Sequence, residues 1–520
     1  IKSSAASDVY KRQDFKEDTQ VMDTVKMIEK AYDSTPYLSN SYGKTWPGRQ
    51  KTVLQFLGFH APEIETARVL EIGCSFGGNI IPFALAHPKA KVIGVDLSEV
   101  QVKEGNRIIK LLGLDNIELW HKNIMDFDDS CGMFDYIICH GVFSWVPSEV
   151  QERILDVIDK HLVENGSAVV SYNTYPGWKD LDILKDLMRF RVEALRAKGK
   201  NIEPRELAGY GRGAVEYLRK MSATMTDHCK IFIDSVINNL DDYYIQHEFF
   251  ECVNQAVYLY DFNKRLLQHK LFHVIDAVIS TSFPSFKDAE SREMILRESE
   301  NDHVVREQYY DYVVNQQFRQ SIITHLGNEE KCNLSTLFQI DDIKGLHIRG
   351  HFSKNEEGKY IDVNKAVFVD ELSNILEKLN TIYPDTVKVE EFVNMLNADD
   401  EREVYQGIIN LIYENQIEVY SEKVKIKKAE KLKLNKKYRK YIEYILNTEN
   451  PVISLAAFNG NVLHVSRTEM EIMLLFDGKR TDKDIVDVVK KDAKNEINEK
   501  EIKELVGNVH AFLENLMMNE

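Results

Sequence analysis

The feature that most limits what this chain can fold into is the string VLEIGCSFGGN at positions 69–79. A short apolar run carrying an acid, Glu71, breaks at once into Gly73, Gly77 and Gly78, where the backbone must turn tightly before a helix starts. Apolar and helical segments then alternate from Val69 to Tyr172: NIIPFALAHP, VIGVDLS, VQVKEGNRIIKLLGL, IELWHKNI, FDYIICH, VQERILDVIDKHL and SAVVSY. Five strand-like runs separated by helices predict an α/β fold, a Rossmann-like, doubly wound parallel sheet whose ligand meets the carboxyl ends of the strands.

The turn also says which ligand. A dinucleotide fingerprint would read G-x-G-x-x-G, whereas the spacing here is Glu-x-Gly-x-Ser-x-Gly-Gly. An acid in front of the first glycine repels a pyrophosphate and suits a cation, such as the ammonium and sulfonium of S-adenosyl-L-methionine. The next strand closes on Asp96, placed to accept from ribose hydroxyls, and the third ends at Asn123, whose amide oxygen can accept from an adenine amino group. Gly73 and Gly77 are expected where a Cβ would block the cofactor. Each element has a plainer reading: glycine turns are common, an Asp before a Ser caps helices, and the Asn123 amide can satisfy a loop carbonyl.

At 520 residues and 43% hydrophobic, the chain can build three separate cores. The expected divisions are 14–178, a cofactor-binding core with an N-terminal lid; 179–363, a helical insertion and regulatory region with a late strand near 273–280 rejoining the sheet; and 364–520, winged-helix-like. The stretch from Lys287 to Glu307 is expected to be a connector. With 83 acidic against 66 basic residues the formal charge is -17, which excludes a chain that coats nucleic acid through its net field. Nucleic acid therefore ranks last among partners for the Lys-rich run 423–440, after a solvated wing and a docking surface for acidic protein. No apolar run approaches the roughly 18 residues of a membrane span, and no metal-ligand spacing links the six cysteines. The polar N-terminal run SSAASDVYKRQ is read as a fragment edge, and the expected location is cytoplasmic.

Two strings carry a family resemblance: FDYIICHGVFSWVP at 134–147 and SYNTYPGW at 171–178 resemble the signatures of the bacterial protein-lysine methyltransferases known from rickettsiae, with their methyltransferase regulatory domain. AYDSTPYLSNSYGKTWPGR at 31–49 resembles the family's lid, EQYYDYVVNQQFRQSI its regulatory segment, and VLHVSRTEMEIMLLFDGKRT its C-terminal winged-helix unit. Ser75 departs from the pattern, standing where the family's middle glycine usually sits. The resemblance implies S-adenosylmethionine-dependent methyl transfer to lysine side chains of a protein. The rickettsial members modify an outer-membrane surface protein; a homodimer is compatible with the same resemblance.

Methyl transfer is an in-line displacement, so placing the amine does most of the catalysis. The loop after the fourth strand, with His140, Phe143, Ser144 and Trp145, should face the methyl group, and Tyr172, Asn173, Tyr175 and Trp178 after the fifth should stand beside it. Polar tips there should stay unburied, and the aromatic faces can hold cations. His140 is either a proton relay and cofactor contact or a loop-orienting histidine. Among the lid residues Tyr32, Tyr37, Tyr42 and Trp46, Tyr37 and Tyr42 are the expected cofactor contacts, the alternative being that the group staples the first helix to the sheet. Two other functions fit the pattern: a small-molecule methyltransferase, and a non-catalytic cofactor-binding regulator.

Overall fold

The computed structural model describes residues 25–29, 33, 40–221, 227–238, 240–283, 289–335, 339–424, 426, 428–448, 454–457, 460–492 and 498–515. The five expected strands form where the apolar runs placed them: β1 (Arg68–Ile72), β2 (Lys91–Asp96), β3 (Ile117–His121), β4 (Phe134–Cys139) and β5 (Leu162–Asn173). All pair in parallel, and two more strands, β6 (Leu271–Asp276) and β7 (Phe318–His325), complete the order β3-β2-β1-β4-β5-β7-β6. The late strand expected near 273–280 is β6, and it does rejoin the sheet. It lies at the edge, because the antiparallel β7 sits between it and β5.

Strand β7 escaped the sequence reading because FRQSIITH is too polar to look buried. Apart from the Gln320 side-chain oxygen, which is buried without a partner, its polar groups are nonetheless matched: the guanidinium of Arg319, fully buried, donates to Asp311 at 2.7 and 2.9 Å and to Glu307 at 2.8 Å, and Thr324 donates to the Gly166 carbonyl at 2.7 Å. The expected connector over 287–307 instead carries the helix Ala289–Glu298 and the start of His303–Val314. The charges that made it look like a linker include Arg306 and Glu307, which are buried.

Between β5 and β6 the chain is helical as expected, with Trp178–Ala197, Leu207–Met221, Asp227–Asn238, Asp242–Phe249 and Leu259–Gln268. The first four pack on a small core of their own around Leu184, Met188, Val215, Ile245 and Phe249. Past it, strands Val387–Lys388, His347–Arg349 and Glu418–Tyr420 form a three-stranded antiparallel sheet with helices Ser373–Ile382, Val389–Leu396 and Glu401–Tyr413. Its first strand lies before residue 364, where the unit was expected to begin. A final unit follows, and Ser466 caps the helix Arg467–Met473 reciprocally with Glu469.

Three cores were expected to stay separate. The C-terminal region does not have one to itself: a continuous apolar cluster runs from Val53, Phe83 and Tyr136 against the sheet to Ile348, Phe392, Tyr438 and Met473. The other face of the sheet packs Ile72, Phe143, Ile158 and Tyr172.

Candidate functional site

Beyond the carboxyl ends of β1, β2 and β4 lies a pocket whose lining includes Tyr42, Glu71, Gly73, Asp96, Asn123, His140 and Trp145. Seven of the residues expected from the sequence therefore meet around one space. Its lining is apolar where Val146, Val150 and Ile154 reach in, and Val25 and Ile28, from the helical stretch 25–29 ahead of the expected lid segment, line it as well.

Glu71 is buried at 3% exposure. One carboxylate oxygen, Oε1, accepts from the Asn79 amide at 2.7 Å, while Oε2 is buried with no partner. Burial, with Asp96 adding like charge, pushes its pKa up to about 8. Asp96 is also raised by burial, but its oxygens accept from the backbone N–H of Ser75 at 2.8 Å and of Ser98 at 2.9 Å, which hold it down. The plainer reading of Asp96 as a local cap is thus true of one oxygen, without excluding a ligand, since each oxygen has a second lone pair. The Asn123 oxygen accepts from the Met125 N–H at 3.0 Å, and Asn123 lines the pocket, so its NH2 group is the alternative contact for a ligand there.

The glycines are needed for a different reason from the one expected. A Cβ on Gly73 would stand 2.2 Å from Val142, and one on Gly77 3.0 Å from Ile81, so packing and positive φ (76° and 83°) forbid side chains there. Gly77 faces away, and Gly78 lines the pocket in its place. Ser75 holds a left-handed φ of 51°, the conformation a glycine takes without cost, and its hydroxyl is buried without a partner.

His140 directly follows β4, with its ring 4.1 Å from that of Tyr42 and 6.0 Å, edge-on, from that of Phe318. Desolvation lowers its pKa to about 4, so it is neutral at physiological pH, and Nδ1 is buried without a partner. Trp145 stands in the short turn Phe143–Trp145 and lines the pocket; Phe143 is core, packed on Phe262 and Tyr172.

The loop after β5 does not stand where it was expected. Tyr172 is 1% exposed, its ring 4.3 Å from Phe262 and its hydroxyl bonded to Ser321 at 2.9 Å, because β7 covers the strand end that would otherwise be open. Asn173 is buried beneath the same strand, its N–H donating to Ser144 at 2.9 Å and its side-chain NH2 unpartnered. Tyr175 is further out, donating from its hydroxyl to Asp182 at 2.8 Å. None of the three lines the pocket. Trp46, offered as a lid residue, is a staple: it is 2% exposed, edge-on to Phe83, and donates to the Asn79 side chain at 2.9 Å. Tyr32 and Tyr37 lie outside the described residues.

Two residues were missed. Asn79 uses both ends of its amide, accepting from the Tyr42 N–H at 2.7 Å and from Trp46 while donating to Thr45 and Glu71, so it locks the lid base to the acid. Its place directly after the glycine pair, at the helix start, was the available signal. Phe318 had none, since it depends on β7.

With this geometry in view, the comparisons with known proteins are specific. Protein RP028 of Rickettsia prowazekii is 34% identical over 248 residues, which make up 47% of this chain and 96% of RP028. The chain belongs to the RP028 family. Protein RP789 of the same organism is 36% identical over 338 residues, 64% of this chain, and the chain spans 59% of the length of RP789. Within this RP028-family chain, residues 69–166 match the description "Methyltransferase domain" and residues 241–325 "Predicted methyltransferase regulatory domain". PKMT2 from Rickettsia typhi, solved in complex with AdoHcy, shares the fold with a TM-score of 0.77 at 24% identity, over 92% of this chain and 98% of that one. The sheet order and the matched domain make this a class I methyltransferase domain, whose cofactor is S-adenosylmethionine.

The pocket fits that cofactor on its own evidence. Three buried polar atoms without partners, Glu71 Oε2, Ser75 Oγ and His140 Nδ1, belong to residues of one pocket. An orphaned polar atom is costly unless a ligand satisfies it. Glu71 would take the ammonium group, Asp96 the ribose hydroxyls and Asn123 the adenine.

Proposed function

We propose that the protein is a protein-lysine methyltransferase. The observation that carries this reading is an aromatic wall at the mouth of the pocket: Tyr42, His140 and Trp145 line it, the Tyr42 ring tilts against that of His140, and Phe318 meets His140 edge-on from beyond the lining. Aromatic faces draw in a cationic side chain, and a neutral histidine adds no repelling charge. S-adenosylmethionine, when bound, supplies an electrophilic methyl group. The residues of the wall would hold the lysine side chain, which arrives as an ammonium and gives up a proton to water, so that its freed lone pair points at that methyl group. Tyr172, Asn173 and Tyr175 act in this reading as supports behind and beside the mouth.

A protein acceptor is further supported by Phe318, since the mouth is finished by the regulatory segment rather than by the methyltransferase domain alone. The shared fold with PKMT2 along nearly the whole chain supports it too, and a surface or outer-membrane protein is the acceptor class we favour. Among the described residues no helix is long and apolar enough to cross a membrane, and a cytoplasmic location is part of the same reading. Incubation with methyl-labelled S-adenosylmethionine and a bacterial envelope-protein fraction, followed by acid hydrolysis, is the test. Label recovered as methylated lysine is expected. Label confined to small molecules would overturn the reading in favour of a small-molecule enzyme, and no label at all would favour a non-catalytic binder.

A further inference from the structure

Past the end of β5, the loop meets two other segments in a cluster of tyrosines, of which the catalytic reading uses only Tyr175, as a support. The rings of Tyr175 and Tyr258 lie 5.2 Å apart and those of Tyr258 and Tyr312 5.9 Å apart. The ammonium of Lys179 sits 3.9 Å from the centre of the Tyr175 ring and 5.9 Å from that of Tyr258. We propose that this cluster is a second ammonium site, which takes a lysine or methyllysine side chain of the protein substrate and is plugged in the free protein by Lys179. The proposal rests on the lysine-transfer reading for the identity of its occupant.

The cluster is held in place from behind. The Tyr175 hydroxyl donates to Asp182, whose other oxygen pairs with Lys185, so the ring face toward Lys179 is fixed before any ligand arrives. The backbone around it is tied down as well: the Tyr175 N–H donates to Val257, and those of Thr174 and Gly177 to Gln317 and Gln316. A pre-formed ring face loses little freedom on binding. The plug, in contrast, is exposed, and Tyr312 is 55% exposed, so the site opens to solvent on one side.

Its position links it to the reaction. Phe318 of the mouth lies opposite Asn173 in the β5–β7 register, and Tyr175 is two residues beyond Asn173, in the turn that follows, so at most about 7 Å of chain separates the two. A substrate segment with neighbouring lysines can therefore place one at the mouth and another on the tyrosines. Ring faces favour weakly hydrated cations, so a methylated ammonium displaces Lys179 more readily than an unmodified one. A product lysine held there keeps its segment on the enzyme while the next lysine enters.

The test is calorimetric titration of the full chain, saturated with S-adenosylhomocysteine, with N-acetyl-Nε-trimethyllysine methylamide as the probe. Lys179→Ala is expected to tighten probe binding about tenfold by removing the plug. Adding Tyr258→Ala in that background should abolish the gain, with circular dichroism confirming the fold. The uncharged Nε-acetyllysine analogue should not respond to either change. Equal affinity in the wild type and Lys179→Ala, or a gain that survives Tyr258→Ala, would overturn the site. The outcome separates from that of the catalytic reading: polypeptide labelling with no Lys179-dependent binding removes the second site alone, whereas Lys179-dependent binding without labelling upholds the site and removes lysine transfer.

Discussion

Glu71 and His140 are both perturbed by burial, in directions that make different predictions. Glu71 is protonated in the free protein below about pH 8, so at neutral pH an ammonium group must draw off its proton on binding. Its folded pKa lies above the unfolded value, so the folded state holds the extra proton and stability falls as pH rises from about 4.5 through 8. Glu71→Gln removes that penalty. The variant should match the wild type in Tm near pH 4, where both side chains are neutral, and exceed it by several degrees above pH 8, while its affinity for S-adenosylhomocysteine drops roughly tenfold to a hundredfold. Thermal scans across pH, paired with calorimetry, check both halves; a Tm difference that shrinks with rising pH would contradict the assignment. For His140, lowered to about 4, the group is already deprotonated across the working range. His140→Asn should lower turnover without changing the shape of the pH–rate profile between pH 6 and 8, and a displaced acidic limb would identify the histidine as the proton acceptor after all.

At the scale of elements, strand β7 builds the site and is also the part the sequence concealed. It buries Tyr172, covers Asn173 and brings Phe318 to the mouth, all through a polar segment in which Arg319 is satisfied by Glu307 and Asp311 on the helix His303–Val314 and Ser321 by Tyr172. Arg319→Met would leave Glu307 and Asp311 as buried carboxylates without their cation and should destabilise the protein by about 3 to 5 kcal/mol, measured by urea denaturation. A loss under 1 kcal/mol would mean that the two acids take up protons or water at little cost. The five parallel strands, the acidic turn and Asp96 were legible because each is local: an apolar run, a glycine pair or a strand-end acid needs no knowledge of distant chain. The same logic failed at Tyr172, where a polar strand end looks solvent-facing until a strand 146 residues further on lies across it. Asn79 falls between these cases, visible as a helix-start residue but not as the junction of lid and acid.

At the scale of the whole molecule, the C-terminal region is built into the catalytic domain instead of hanging from it. Lys51 and Thr52 bond to Glu422 and Ser421, the Tyr444 ring lies under Arg107, and the apolar core is continuous between the two. The two also meet backbone to backbone: a Cβ on Gly43 would stand 1.5 Å from the Gly460 carbonyl oxygen in the hairpin of strands Ser454–Ala456 and Val462–His464. No side-chain rotation can relieve a backbone contact, so Gly43→Ala must push the hairpin away or drag its own segment out of place. That segment begins with Tyr42, whose ring packs on His140 and whose N–H is held by Asn79. The variant changes no pocket atom, yet it should weaken S-adenosylhomocysteine binding by roughly tenfold, because Tyr42 can no longer close on His140 while the hairpin stays in place. Gly460→Ala is the control. Its Cβ would meet Gly43 only at 3.4 Å, and its cost is the strain of a φ of 85°, which should lower Tm with little effect on affinity. Calorimetry on both folded variants decides the matter: a folded Gly43→Ala protein with undiminished affinity would show that the hairpin is packed against the lid base without bracing it.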